Sequence, residues 1–166
     1  MMPAEAAYGR HRRAWVLSLL VASLWGCGED TRNMDKNSTL SIDLVALKRL
    51  IKLPAGVASA EWQTGKLAPH GGDWWLAAVL DVPADQMGRF LTGPVGQDVF
   101  ETPPGMQFSA SFAALKSLPG AQSNPPSGFR LIADIHSIEA YASSPLLNGK
   151  AMRLSGTQVL VVLWTN

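Results

Sequence analysis

Four side chains in this sequence combine type and spacing suited to acid–base or metal chemistry. His70 and Asp73 bracket a Gly71-Gly72 pair, and Asp134 and His136 stand two positions apart. Histidine titrates near neutrality and, beside a carboxylate, can move a proton or ligate a metal. Two apart on a strand, Asp134 and His136 project from one face. Two ligands are fewer than the three or four that a metal site needs, and an exposed polar strand face explains the spacing without chemistry. Gly71-Gly72 has a similar double meaning. It can bare backbone amides to a developing negative charge, or it can let a turn adopt positive φ.

The string His70-Gly71-Gly72-Asp73 resembles the HGG oxyanion loop of esterases. That resemblance implies a nucleophilic serine in a Gly-x-Ser-x-Gly turn, and neither Ser127-Gly128 nor Ser155-Gly156 has a glycine two places before its serine. A turn between strands is the simpler reading. No P-loop, Gly-x-Gly-x-x-Gly or His-Glu-x-x-His pattern occurs, so the sequence names no cofactor and no metal. Tryptophans at 62, 74, 75 and 164 offer flat apolar faces of the kind that stack on sugars. Strand alternation sends Trp74 and Trp75 to opposite sides, so one of them must meet a covering helix or the outside. That residue is the candidate contact surface.

The only cysteine is Cys27, and it ends the stretch RHRRAWVLSLLVASLWGC at residues 10–27. Three arginines and a histidine precede an apolar run of twelve residues, 14–25, well short of the roughly 20 that cross a bilayer. A charged n-region, a short h-region and a small residue before the cysteine mark an export signal. The block resembles the precursor segment of bacterial lipoproteins, and the likeness covers residues 10–27 alone. It implies removal of residues 1–26, a thioether-linked diacylglycerol on Cys27, and acylation of the new amino group. Two or three acyl chains hold a protein on a membrane permanently, where one binds only reversibly. Gly28, standing where aspartate often retains such proteins in the inner membrane, implies an outer-membrane address facing the periplasm.

Three of the fourteen lysines and arginines and one of the thirteen acids precede Cys27, so residues 27–166 carry 11 basic and 12 acidic side chains. No basic stripe neutralises phosphates, and nucleic acid is excluded as a partner on that ground. About 140 residues make one domain with a core of useful size. Residues 28–38, GEDTRNMDKNS, are polar and mixed in charge, which predicts that 27–39 is a lipidated tether. A coil of that length spans on the order of 20 Å.

The folded part is expected over 40–166. Leu40, Leu44, Leu47 and Ile51 repeat at helical spacing, predicting a helix over 42–52 with Ser41 able to cap it and Lys48, Arg49 and Lys52 toward its end. Following an anchor, such a helix can lie on a membrane surface, but cations gathered at one end favour packing on the domain's own sheet. Alternation over 57–64 predicts a strand, 65–73 a turn, and the continuous apolar run 74–82 a central strand. Asp81 near its end reads as a simple acceptor. Pro83 opens a helix that stops at Gly93-Pro94. Residues 95–106 read as an irregular crossing, 108–118 as a helix capped by Ser109, and 119–128 as a loop. A one-sided strand follows at 129–136, a mixed segment at 137–156, and a second central strand at 157–164. This order predicts an α+β domain with an antiparallel sheet of about four or five strands and helices mainly on one face.

The expected function is that of a lipid-anchored bacterial envelope protein with a non-catalytic binding or structural role in the periplasm. Its partners would be the membrane, through the anchor, and an envelope protein or peptidoglycan. The alternative is a small periplasmic hydrolase or metal-dependent enzyme using His70, Asp73, Asp134 and His136.

Overall fold

The computed structural model describes residues 40–68, 71–124 and 128–165. The expectations for the leader, Cys27, the tether and His70 lie outside the described residues.

The two apolar runs form the middle of the sheet. Strands β2 (Trp74–Asp81) and β7 (Gln158–Trp164) pair antiparallel, from Trp75 opposite Trp164 to Asp81 opposite Gln158. Their alternate residues serve two cores. Leu76, Ala78 and Leu80 join Val159, Val161 and Leu163 on one face, while Trp75, Ala77 and Val79 join Leu160 and Val162 on the other. None of these eleven is more than 2% exposed, so both faces of the pair are dry. A strand apolar at every position has no other place to sit.

Around this pair the order is β1–β2–β7–β6–β5–β3, every pairing antiparallel, with β4 beside the start of β5. Here β1 is Ser59–Lys66, β3 Pro94–Glu101, β4 Gln122–Asn124, β5 Gly128–His136 and β6 Asn148–Arg153. The antiparallel sheet of an α+β domain is present, but it has seven strands, not four or five. Three strands escape the sequence pattern. Gly96, Gly105 and Pro103-Pro104 predict an irregular crossing over 95–106; instead a bulge between Pro94 and Gly96, where Gly96 takes φ 103°, starts β3. Asn148-Gly149 has turn chemistry but opens β6, where a Cβ on Gly149 would lie 2.6 Å from Leu163 Cδ2. β4 is too short to show a period.

Helix α1 (Leu44–Leu50) is capped by Asp43, whose Oδ1 accepts from the amides of Val45 at 2.8 Å and Ala46 at 3.0 Å. Ser41, the expected cap, is used otherwise. Its backbone exchanges two 2.8 Å hydrogen bonds with Trp62 and so covers part of the β1 edge. Helix α2 (Met87–Phe90) follows a 3-10 turn at Ala84–Gln86, and α3 (Ala110–Ala113) runs into one at Ala114–Ser117. Ser109 precedes α3 without capping it through its side chain. Leu47, Ile51, Met87 and Phe90 enter the first core, whereas Phe112 and Leu115 enter the second. Helices therefore lie on both faces, correcting the one-face expectation, because a sheet apolar on both sides must be covered on both.

The sheet is not flat. β5 and β6 meet at one pair, His136 opposite Ala151. In a flat ladder the Cα atoms of Lys150 and Asp98 would stand about 16 Å apart, two strand spacings across and four residues along. Yet the Lys150 ammonium binds the Asp98 carboxylate and donates to the Val99 carbonyl at 2.6 Å. The β3–β5 part is thus folded over the second core, which it closes with Phe100, Leu131 and Ile135. Hydrogen bonds from Lys150 and from the Val99 amide hold the Asp98 carboxyl below its ordinary value.

Two buried contacts fix how covering segments sit. The Gln63 side chain, fully buried, pairs with the backbone of Gln107, donating to its carbonyl and accepting from its amide at 2.8 Å each. The Tyr141 hydroxyl, also buried, donates to the Phe90 carbonyl at 2.6 Å and ties the 138–147 segment to α2. Burial pushes this phenol above its ordinary value of 10.0. Folding therefore favours the protonated form, whose contribution is complete below that pH and is lost as pH rises through the folded-state value. Tyr141→Phe is expected to lower stability by about 1–3 kcal/mol, since the carbonyl loses its donor. It should also flatten the alkaline decline, read by urea unfolding from neutral pH to about pH 11. A Cβ on Gly65 would lie 2.6 Å from Trp75 Cε2, while one on Gly72 would meet nothing within 4 Å. Gly65→Ala should accordingly cost about 1–3 kcal/mol in the same assay, with Gly72→Ala nearly silent.

Candidate functional site

β5 alternates between two environments. Leu131 and Ile135 are buried and Ala133 half-buried toward the second core, so Arg130, Ile132, Asp134 and His136 point away from it. Pairing with β3 sets Gln97 opposite Asp134, Val99 opposite Ile132 and Glu101 opposite Arg130. Arg130 Nε stands 3.4 Å from Glu101 Oε1, but both side chains are more than half exposed and such a pair contributes little.

At the edge where β5 parts from β6 a cleft of about 530 Å³ opens, and both sides of β5 line it, Leu131 and Ala133 from the second core as well as residues of the outward row. Gly88 and Leu91 of the α2 segment form one rim, Arg153 and Met152 of β6 another, and Leu118 and Pro119 close one side. The β5 side presents Ile132, Asp134 and His136, with Gln97 behind them. Ile132 is 66% exposed, although its strand is paired with β3 at that position. His136 Nδ1 is buried and has no hydrogen-bond partner. The backbone adds a further feature. On the side of β5 away from β3, β4 pairs with 128–130 and β6 with His136, so among the described residues 131–135 have no ladder partner there. An extended stretch with one open edge is what a strand from another chain pairs with.

The sequence-derived candidates divide. Asp134 and His136 do share a face and line this cleft. Asp73 does not join them. Its carboxylate accepts from Thr165 Oγ1 at 3.1 Å at the start of β2. Ala151, the partner of His136, pairs with Val161 and that with Ala78. Two strand spacings and five residue steps put Asp73 roughly 19 Å from Ala151, too far to share a metal or a proton with His136. Among the described residues no group of three or more His, Cys, Asp or Glu side chains is placed to hold a metal ion. His70 lies outside the described residues.

The tryptophan pair resolves in favour of packing. Trp75 is fully buried in the second core, and Trp74 is half-buried against the first, so Trp75 offers no contact surface. Asp81 is an acceptor, as expected. It takes hydrogen bonds from Ser59 Oγ and, at 3.0 Å, from Gln158 Nε2, fastening the ends of three neighbouring strands.

Gln97, Arg153, Gly88 and Leu91 were not legible as site residues, because their strands and rim exist only through pairing. Hydrogen-bonding groups of both charges around an apolar floor suit recognition of a ligand with mixed character. The fold and site together define an α+β domain with a seven-stranded antiparallel sheet and a cleft beside an open strand edge. Comparison with protein-family models, curated proteins and solved structures finds no match to the chain. If the cleft face is open, Ile132→Ser should change stability by less than about 0.5 kcal/mol while its neighbour Leu131→Ala costs about 2–5 kcal/mol in urea unfolding.

Proposed function

We propose that the chain is a lipid-anchored bacterial envelope protein that works by binding, without catalysis, on the periplasmic side of the outer membrane. The observation that carries this reading is the stretch 10–27, in which a cationic segment, a twelve-residue apolar run and the sole cysteine follow one another. The acyl chains on Cys27 hold the protein at the membrane, and the domain from Leu40 onward meets its partner. The cleft of β5 is the binding face. Its open edge at 131–135 takes an extended segment of another envelope protein by strand addition, and the exposed Ile132 with Asp134, His136 and Arg153 reads the side chains of that segment.

A peptide stem of peptidoglycan shares the extended backbone and is the second partner class that this edge accommodates. Among the described residues no helix is long and apolar enough to cross a membrane, so membrane attachment in this proposal rests on Cys27. Cys27→Ala is expected to abolish incorporation of labelled palmitate and to leave the precursor uncleaved. Unchanged labelling would overturn the anchor.

A further inference from the structure

We infer that the outward face of α1 docks on the surface of a bilayer carrying anionic phospholipid, so that the domain rests on its membrane in one orientation. The inference rests on the proposed anchor for its local concentration, and stands on three observations of its own.

The first is apolar exposure at the start of α1. Ile42 is 80% and Val45 63% exposed, among the largest exposures of any big apolar side chain described. Ile42 precedes the Asp43 cap, the position whose side chain commonly staples onto the fourth helical residue, here Leu47. Leu47 is fully buried in the first core while Ile42 faces water, so the staple is not made. The helix buries its other face normally, through Leu47 and the adjoining Ile51, with Leu44 and Leu50 packed beside them.

The second is charge on the same face. Lys48 and Arg49 follow Val45 by three and four residues, the spacing that stacks side chains on one side of a helix. Both are exposed, as is Lys52 just past the end of the helix. Among the described residues none of the three makes an ion pair. Apolar side chains followed by cations match a headgroup layer: Ile42 and Val45 reach the acyl boundary while the cations stay with the phosphates. Protein interfaces, by contrast, are depleted of lysine at their cores. The third observation is position. Leu40 follows Cys27 by only thirteen residues, so α1 is the first described helix after the anchor. Two apolar side chains and three cations bind a free membrane weakly, and tethering makes weak contact sufficient.

The test uses the protein purified as its cell makes it, with an environment-sensitive fluorescent amino acid replacing Val45 or, as control, Ala110, which is exposed on α3 against the other core. The protein is reconstituted into, or mixed with, vesicles of zwitterionic phospholipid with and without an anionic phospholipid. The probe at 45 is expected to shift to shorter wavelength and to be quenched from the lipid phase on anionic vesicles, while the probe at 110 stays in water. Lys48→Gln and Arg49→Gln should each weaken the contact about fivefold. A probe at 45 that stays in water, a shift indifferent to both substitutions, or shielding that appears only with a crosslinked protein would each overturn the inference. The mass of the N-terminal peptide reports the acyl chains independently, so loss of the anchor and loss of docking are distinguishable.

Discussion

The pairing of β2 with β7 is the constraint from which the rest follows. Eleven apolar side chains on these strands are withdrawn from water in two rows, one on each face. At about 1.5–3 kcal/mol for each large side chain, neither row could be left uncovered. Every other element answers that demand. α1, α2 and the segment around Tyr141 cover one row, and α3 with the folded-over β3–β5 part covers the other. Polar groups inside serve as fasteners between cover and sheet. Gln63 on Gln107 and Tyr141 on Phe90 each satisfy both partners, as most buried hydrogen-bonding groups are satisfied.

Covering the second core by bending the sheet has a geometric consequence. Strands that turn away from each other cannot keep their ladder, and β5 leaves β6 after one pair. The same movement that brings Phe100, Leu131 and Ile135 over Trp75 leaves residues 131–135 with an open edge and creates the cleft beside it. The Lys150 contact to β3 shows where the bend is held. Core closure and the candidate site are thus two results of one deformation.

The N-terminal part of the domain is arranged along a second line. Ser41 joins the β1 edge, Asp43 caps α1, and Trp62 Nε1 donates to the Asp43 carbonyl at 3.1 Å. These ties set the direction in which α1 shows its outer face. In the proposed arrangement that face meets the bilayer, and the cleft is presented at a fixed attitude to whatever lies in the periplasm.

Local pattern was enough for α1, the strands at β1, β2, β5 and β7, and the shared face of Asp134 and His136, because each depends on residue order within one short segment. The buried fate of a central apolar strand was equally plain. It also carried the whole case for the anchor at Cys27, which is a matter of local order along the chain. Whatever depends on partners distant in sequence emerged only on folding. Gly149 belongs to a strand because β6 lies against β7, whose Val162 carbonyl leaves room there for no side chain, and the bulge beside Gly96 becomes a strand start only when β5 lies next to it. Trp75 rather than Trp74 went fully inside because Gly65 gives its indole space. Asp73 parted from His136, and Gln97 and Arg153 joined it, because strand order sets those separations and no local pattern encodes strand order.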